Sequence, residues 1–117
     1  MDVEKIVLIP PPFDTATFSN LPPGGLFREQ YKLAEKKIIM FLGRIHRIKG
    51  LDFLLESFYE LTRSRDDVIL VIVGNDDGYK PTLDRMVSDF NFHNSVLLFK
   101  RDKILPMKKN NRKRLWV

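Results

Sequence analysis

The chain contains no cysteine, which excludes disulfides and thiolate metal sites. No apolar run approaches the ~18 residues that would suggest a membrane span. The first residues, Met1-Asp-Val-Glu-Lys5, are partly acidic and lead into no long apolar core, unlike a secretory signal. A cytoplasmic chain is therefore expected. Histidine is scarce as well. His46 and His93 stand in different loops with no obvious nucleophile or metal partner; His46 either faces a ligand or is an incidental loop residue, and the second reading is favoured. No serine occupies a nucleophile-elbow context, so nucleophilic hydrolysis finds no support. The dinucleotide fingerprint GxGxxG and the phosphate-loop pattern GxxxxGK[ST] are both absent.

What is present suits one small domain with a real core: 117 residues, 44% apolar and 30% charged. The net charge of +5 is unevenly placed. Residues 1–99 carry 12 Lys and Arg against 14 Asp and Glu; residues 100–117 carry 8 against one, Asp102. The basic balance belongs to the tail and not to the body, so overall charge is no argument for nucleic acid. No internal repeat is visible.

Along the chain, Ile6-Val-Leu-Ile9 is a β-branched run closed by Pro10-Pro-Pro12, and predicts a first strand. Phe13 to Gly25 is rich in turn formers. Leu26 to Leu33 has room for one or two helical turns. Lys37 to Leu42 reads as a parallel strand covered on both faces, because its apolar run is continuous and not alternating. From Leu51 the period changes: Leu51, Leu54, Leu55, Phe58 and Leu61 share one helical face. Val68-Ile-Leu-Val-Ile-Val73, six apolar residues of which five are β-branched, is the clearest strand. A turn over Gly74 to Gly78 follows. Pro81 then suits the first turn of a helix with Leu83, Met86, Val87 and Phe90 on one face, ended by His93-Asn94. Val96 to Phe99 is a last strand. This alternation predicts an α/β fold, a partial Rossmann-like parallel sheet flanked by helices with right-handed crossovers. Residues 100–117 lack any amphipathic period, are interrupted by Pro106, and are expected to be a disordered, irregular basic tail.

Chemistry concentrates at Gly43-Arg44 and Lys49-Gly50. In α/β sheets ligands bind outside the carboxyl ends of strands, and Arg44 stands at such an end. Lys49 immediately precedes a helix, whose N-terminus favours an anion. A guanidinium forks onto phosphate oxygens and an ammonium adds a mobile point charge. Gly43 and Gly50 allow close backbone approach. The alternative is two solvated loop cations, with Arg47 a third. Gly74, at the end of the best strand, either admits a ligand or simply opens a turn in which Asp76 or Asp77 caps the next helix. Asp76 and Asp77 are joined by no further ligands at metal-binding spacing.

Residues 3–99 resemble the donor-binding C-terminal half of retaining glycosyltransferases of family 4, a group with two Rossmann-like lobes (the GT-B fold). Ile6-Val-Leu-Ile-Pro10 with Phe13-Asp14 resembles the family's V-I-P-N-G-V-D strand. Phe41-Leu-Gly-Arg44 with Lys49-Gly-Leu-Asp52 and Leu54-Leu55 resembles G-R…K-G-x-D-x-L-L. Leu70-Val-Ile-Val-Gly74 resembles the next strand and its glycine. The resemblance implies a nucleoside diphosphate sugar as the donor of a hexosyl group. Arg44 and Lys49 would hold its diphosphate and stabilise it as it leaves, with Gly43, Gly50 and Gly74 admitting it and no metal cofactor. Residues 1–99 would then be a partial nucleotide-sugar-binding domain. The sequence departs from the family at Pro11-Pro12, which replaces Asn-Gly, and at Lys100-Arg101, which replaces a glycine. The acceptor lobe and the E-x7-E segment that contacts the donor lie outside the resemblance, so turnover by the chain alone is not expected.

Two further readings stand beside this one. The tail, with Lys108-Lys109, Arg112-Lys113-Arg114 and Trp116, could bind nucleic acid as a small adaptor. Nothing in the body supports such recognition, and deleting residues 100–117 would separate the two ideas. Alternatively the chain is a truncated product that self-associates through exposed edges. The change of composition at Lys100 is expected of a fragment with a misread end. The genomic DNA downstream is then expected to encode an E-x7-E segment in another frame; its absence from all three frames overturns the frameshift.

Overall fold

Val68–Val73 forms the middle strand, β2, of a three-stranded parallel sheet in the order β1-β2-β3. The computed structural model describes residues 3–92 and 94–101. Strand β1 is Lys37–Leu42 and β3 is Val96–Phe99. β1 pairs with β2 over its whole length, from Lys37 opposite Val68 to Leu42 opposite Val73. β3 pairs with the second part of β2, from Val96 opposite Leu70 to Phe99 opposite Val73. All six residues of β2 are buried, as expected for a strand with a neighbour on each edge and a layer on each face.

Side chains alternate across a strand, and β2 divides accordingly. Val68, Leu70 and Ile72 meet Leu51, Leu55 and Phe58 of helix α2, Leu51–Thr62, and Leu83 of helix α3, Lys80–Asp89. Ile69, Val71 and Val73 turn the other way, toward Phe27 and Leu33. Both crossover helices thus cover one face of the sheet, as two crossovers of the same hand produce when strands are laid down in one direction. Phe58 and Phe92 join the helical layer with ring centres 5.2 Å apart, and Tyr59 stacks on Phe90 at 5.0 Å. On the opposite face helix α1, Leu26–Gln30, brings Phe27 and Tyr31 against Phe99, at 6.0 and 4.7 Å. Arg28 donates to the backbone carbonyls of Ala34 and Lys36 and ties the turn after α1 to the start of β1.

The helix periods, the three strands from Lys37 onward and the α/β architecture agree with the sequence. Two expectations do not. Ile6 to Ile9 joins no strand among the described residues and lies in water, with Leu8 93% exposed. β-branched composition favours extended backbone, but a strand exists only against a partner edge, and the three prolines that follow supply no donors. β1 is also covered along its length on one face only; on the other, Ile38 alone packs against the α1 side. Ile39 and Phe41 pack under the helices, whereas Met40 and Leu42 are 43% and 45% exposed. The reason is size and placement: α1 has five residues, and its aromatic rings sit over β3. α1 ends early because Lys32 and Ala34 take positive φ, 53° and 41°, which no helix continues. α3 likewise stops at Asp89, and Asn91 turns the chain with φ 59°. His93 and the basic tail beyond Arg101 lie outside the described residues, and with them the nucleic-acid reading. No helix among the described residues is long and apolar enough to cross a membrane.

At the opposite end of the sheet from the strands' carboxyl termini, Arg65 grips Asp67 through two hydrogen bonds of 2.8 and 2.6 Å. The Arg65 hydrogen bond lowers the Asp67 carboxyl from 3.8 to about 2. A depressed carboxyl stabilises the fold fully above the unfolded value of 3.8 and loses that contribution as pH falls toward about 2. Both side chains face water, so the effect is small.

Core position decides the cost of truncation. Leu70→Ala, at a fully buried site facing the helices, is expected to lower unfolding free energy by about 2–5 kcal/mol in urea titration. Met40→Ala on the open face of β1 is expected to cost less than about 1 kcal/mol. Equal losses would contradict the one-sided burial of β1.

Candidate functional site

The carboxyl ends of the three strands open onto the two crossover loops and the residues after β3. Beyond Leu42 the chain does not leave the sheet at once. Gly43 N–H donates to Val73 O at 3.0 Å, Ile45 N–H to Asn75 O at 2.9 Å, and Asp77 N–H to Ile45 O at 3.0 Å. A parallel bridge between Ile45 and Asp76 extends the pairing of the strands into their loops. Ile45 is 1% exposed and pins the first loop into the helical layer of the core. The cations on either side of it, Arg44 and Arg47, remain in water because the apolar residue takes the inward position.

Gly74 has a stricter role. A Cβ added there would lie 1.8 Å from the Gly43 carbonyl oxygen, so the two loops touch backbone to backbone. Gly74 is buried and donates its N–H to Phe99 O at 3.0 Å. The sequence left open whether Gly74 admits a ligand or opens a turn. The structure gives it a packing role and also sets it in the wall of a cleft of about 450 Å³. That cleft is lined by Ile45, Gly74, Asp76, Lys80, Asp84, Leu98, Phe99 and Lys100. Gly43, Arg44, Lys49 and Gly50 stand outside its lining. Within it Lys80 Nζ meets Asp84 Oδ2 at 2.5 Å.

The basic loop is built in small steps. His46 Nδ1 accepts the Ile48 N–H at 3.2 Å and caps a single 3-10 turn over Arg47–Lys49. His46 therefore has a structural task in the loop. Lys49 is the last residue of that turn and is exposed. Gly50 follows in the left-handed conformation, φ 67°, closing the turn and preceding the first residue of α2. A residue with a Cβ would be strained there. Gly50 brings no side-chain cap to α2, and Asp52 is the acid of its first turn.

Arg44 crosses to the neighbouring loop, where its Nη1 lies 2.7 Å from Asp77 Oδ2. Asp76, by contrast, turns inward on its own loop: its Oδ1 accepts from Gly78 N and Lys80 N, both at 3.0 Å, and so braces the start of α3. The two adjacent acids, read together in the sequence as capping candidates, thus divide. Asp76 braces the turn before α3, whose N-cap position is Tyr79, and Asp77 pairs with Arg44. The partnership of Asp77 with Arg44 and the cleft positions of Lys80 and Lys100 were missed by the sequence. The available signal was the register: loops after adjacent parallel strands face each other. Among the described residues no group of three or more His, Asp or Glu side chains could hold a metal ion.

A family model described as glycosyl transferases group 1 matches residues 26–110. The chain belongs to this glycosyltransferase family. The match begins after the Ile6–Asp14 segment and runs beyond Phe99. A GDP-mannose-dependent alpha-(1-6)-phosphatidylinositol monomannoside mannosyltransferase of Mycolicibacterium smegmatis is 36% identical over 90 residues, 76% of this chain and 23% of that protein. A D-inositol 3-phosphate glycosyltransferase of Kineococcus radiotolerans is 32% identical over 82 residues, 66% of this chain and 19% of that protein. An alpha-D-kanosaminyltransferase of Streptomyces kanamyceticus is 37% identical over 60 residues, 51% of this chain and 15% of that protein. The chain thus spans less than a quarter of the length of these relatives.

The Gly74 contact is testable by stability. Gly74→Ala is expected to cost at least about 2 kcal/mol in thermal or urea unfolding, because backbone and not a flexible side chain must yield. Gly24→Ala, with nothing within 4 Å, should change stability by less than about 0.5 kcal/mol. A neutral Gly74→Ala would mean that the loops do not touch.

Proposed function

We propose that this chain carries the donor-diphosphate-binding part of a retaining family 4 glycosyltransferase of GT-B architecture. In this reading it supplies part of the C-terminal, donor-binding lobe. It acts on a nucleoside diphosphate sugar, from which a hexosyl group passes to an acceptor. The observation that carries the reading is the composition of one loop in a chain of this family. Arg44 and Lys49 both stand exposed after the carboxyl end of β1, and Lys49 and Gly50 lead directly into α2, a helix of 12 residues.

The proposed mechanism is electrostatic. Arg44 presents a planar fork to phosphate oxygens and Lys49 a mobile ammonium. The amides at the start of α2 add partial positive charge. Charge grows on the diphosphate as the sugar bond breaks, so these groups would bind it more strongly in the transition state than in the donor. Cations fixed by the loop would do this without a metal. Gly43 and Gly50 would allow close approach of the backbone. Gly74 would hold the adjoining loop in place at the wall of the cleft.

The role is confined to the donor's diphosphate. The relatives' remaining length is more than three quarters of those proteins, so acceptor choice and turnover are not assigned to the residues described here.

Calorimetric titration with UDP and GDP tests the clamp. GDP belongs in the comparison because the mycobacterial relative is named for GDP-mannose. Arg44→Ala is expected to weaken binding by roughly tenfold or more, since a hydrogen bond between charged groups is worth about 1.5–3 kcal/mol. Lys49→Ala should weaken it by a smaller factor. Equal binding by wild type and Arg44→Ala would sink the assignment.

A further inference from the structure

We propose that Asp77 is a specificity-determining residue that selects ligands at the Arg44 loop by their charge. The inference rests on the diphosphate site proposed above and adds a residue that opposes binding. Arg44 Nη1 lies 2.7 Å from Asp77 Oδ2, across two loops whose parent strands are neighbours. Both side chains are open to water, 65% and 43% exposed. An ion pair so exposed is weak and readily exchanged. Phosphate oxygens therefore can share or take over the guanidinium.

The backbone that carries the carboxylate is held, and the side chain is short, so the charge stays near the loop when they do. Asp77 N–H is held by Ile45 O at 3.0 Å, and Ile45 itself is locked in the core at 1% exposure. Asp76 is engaged by the amides of Gly78 and Lys80, which leaves Asp77 as the acid directed across at Arg44. A negative charge thus stays beside any anion that Arg44 binds.

Its effect depends on the ligand. A diphosphate esterified at both ends lacks the terminal phosphate group whose second ionisation falls near pH 6. A free nucleoside diphosphate has that group, and a triphosphate carries a further charge. Two cations alone would favour the most highly charged ligand, holding the leaving nucleotide more tightly than the donor. Asp77 penalises each added charge and shifts the preference back toward the sugar nucleotide.

The test compares UDP-glucose, UDP and UTP, and GDP-mannose, GDP and GTP, by calorimetry with the full chain. Wild type, Asp77→Asn, Asp77→Glu and Arg44→Ala are titrated at low salt and at about 0.15 M. Asp77→Asn preserves shape and hydrogen bonding and removes the charge. It is expected to bind every ligand of the better-bound series more tightly. The gain should grow about two- to threefold from sugar nucleotide to diphosphate, and again to triphosphate, the size of one charge pair about 6 Å apart in water. The gain should shrink as salt rises. Asp77→Glu should keep the wild-type ranking. A gain equal for all ligands, or weaker binding by Asp77→Asn, overturns charge selection. If Arg44→Ala loses affinity while Asp77→Asn leaves the ranking flat, only this inference fails. If Arg44→Ala binds as wild type does, or wild type binds no ligand, the diphosphate site fails and this inference with it.

Discussion

Six successive side chains of β2 are removed from water on two opposite faces, and that burial organises everything else described here. At about 1.5–3 kcal/mol for each large apolar side chain, one short strand supplies a major share of the driving force of a small domain. It also requires two covering layers. α2 and α3 provide one; α1, with Phe27 and Tyr31 against Phe99, provides the other. The coverage is unequal. The helical layer reaches all three strands, whereas the α1 layer leaves Met40 and Leu42 partly in water. The domain is thus covered on both sides of its middle strand and open along part of one face of β1.

The same constraint positions the loops. With β1 and β2 paired to their last residues, the chains beyond them emerge side by side at the carboxyl end of the sheet. Continued hydrogen bonding through Gly43, Ile45 and Asp77 keeps them together for several residues more. Close approach there depends on Gly74, since the Gly43 carbonyl occupies the space of its missing side chain. Rigid backbone below and exposed cations above is a useful combination. Arg44 and Lys49 pay little desolvation, and their attachment points are fixed by a core that a ligand need not disturb. The proposed clamp and the proposed opposition of Asp77 both follow from this arrangement: charges in water, carried on loops hydrogen-bonded backbone to backbone.

Much of this was legible from residue order because the relevant signals are local. A helical period of apolar residues from Leu51, a second from Leu83 and an unbroken β-branched run at Val68 each report their own burial. The order of those pieces then implies a parallel sheet. Arg44 and Lys49 were singled out by their place after a strand and before a helix, and the structure sets them between β1 and α2. Ile6 to Ile9 misled for the same reason: its composition is that of a strand, yet pairing is a property of two segments. His46 looked incidental, since capping by Nδ1 depends on a backbone turn invisible in the residue types.

From Lys37 onward the sequence by itself determined the elements, their order and the cations at the end of β1, through periodicity and through the chemistry of individual residues. The tertiary structure decided which residues meet. Arg44 reaches Asp77, 33 positions away, only because β1 and β2 lie in full register. Gly43 and Gly74 touch for the same cause. Whether a face of β1 is covered depends on where α1 comes to rest. Contacts of this kind arise from packing between segments distant in the chain, and local patterns carry no record of them.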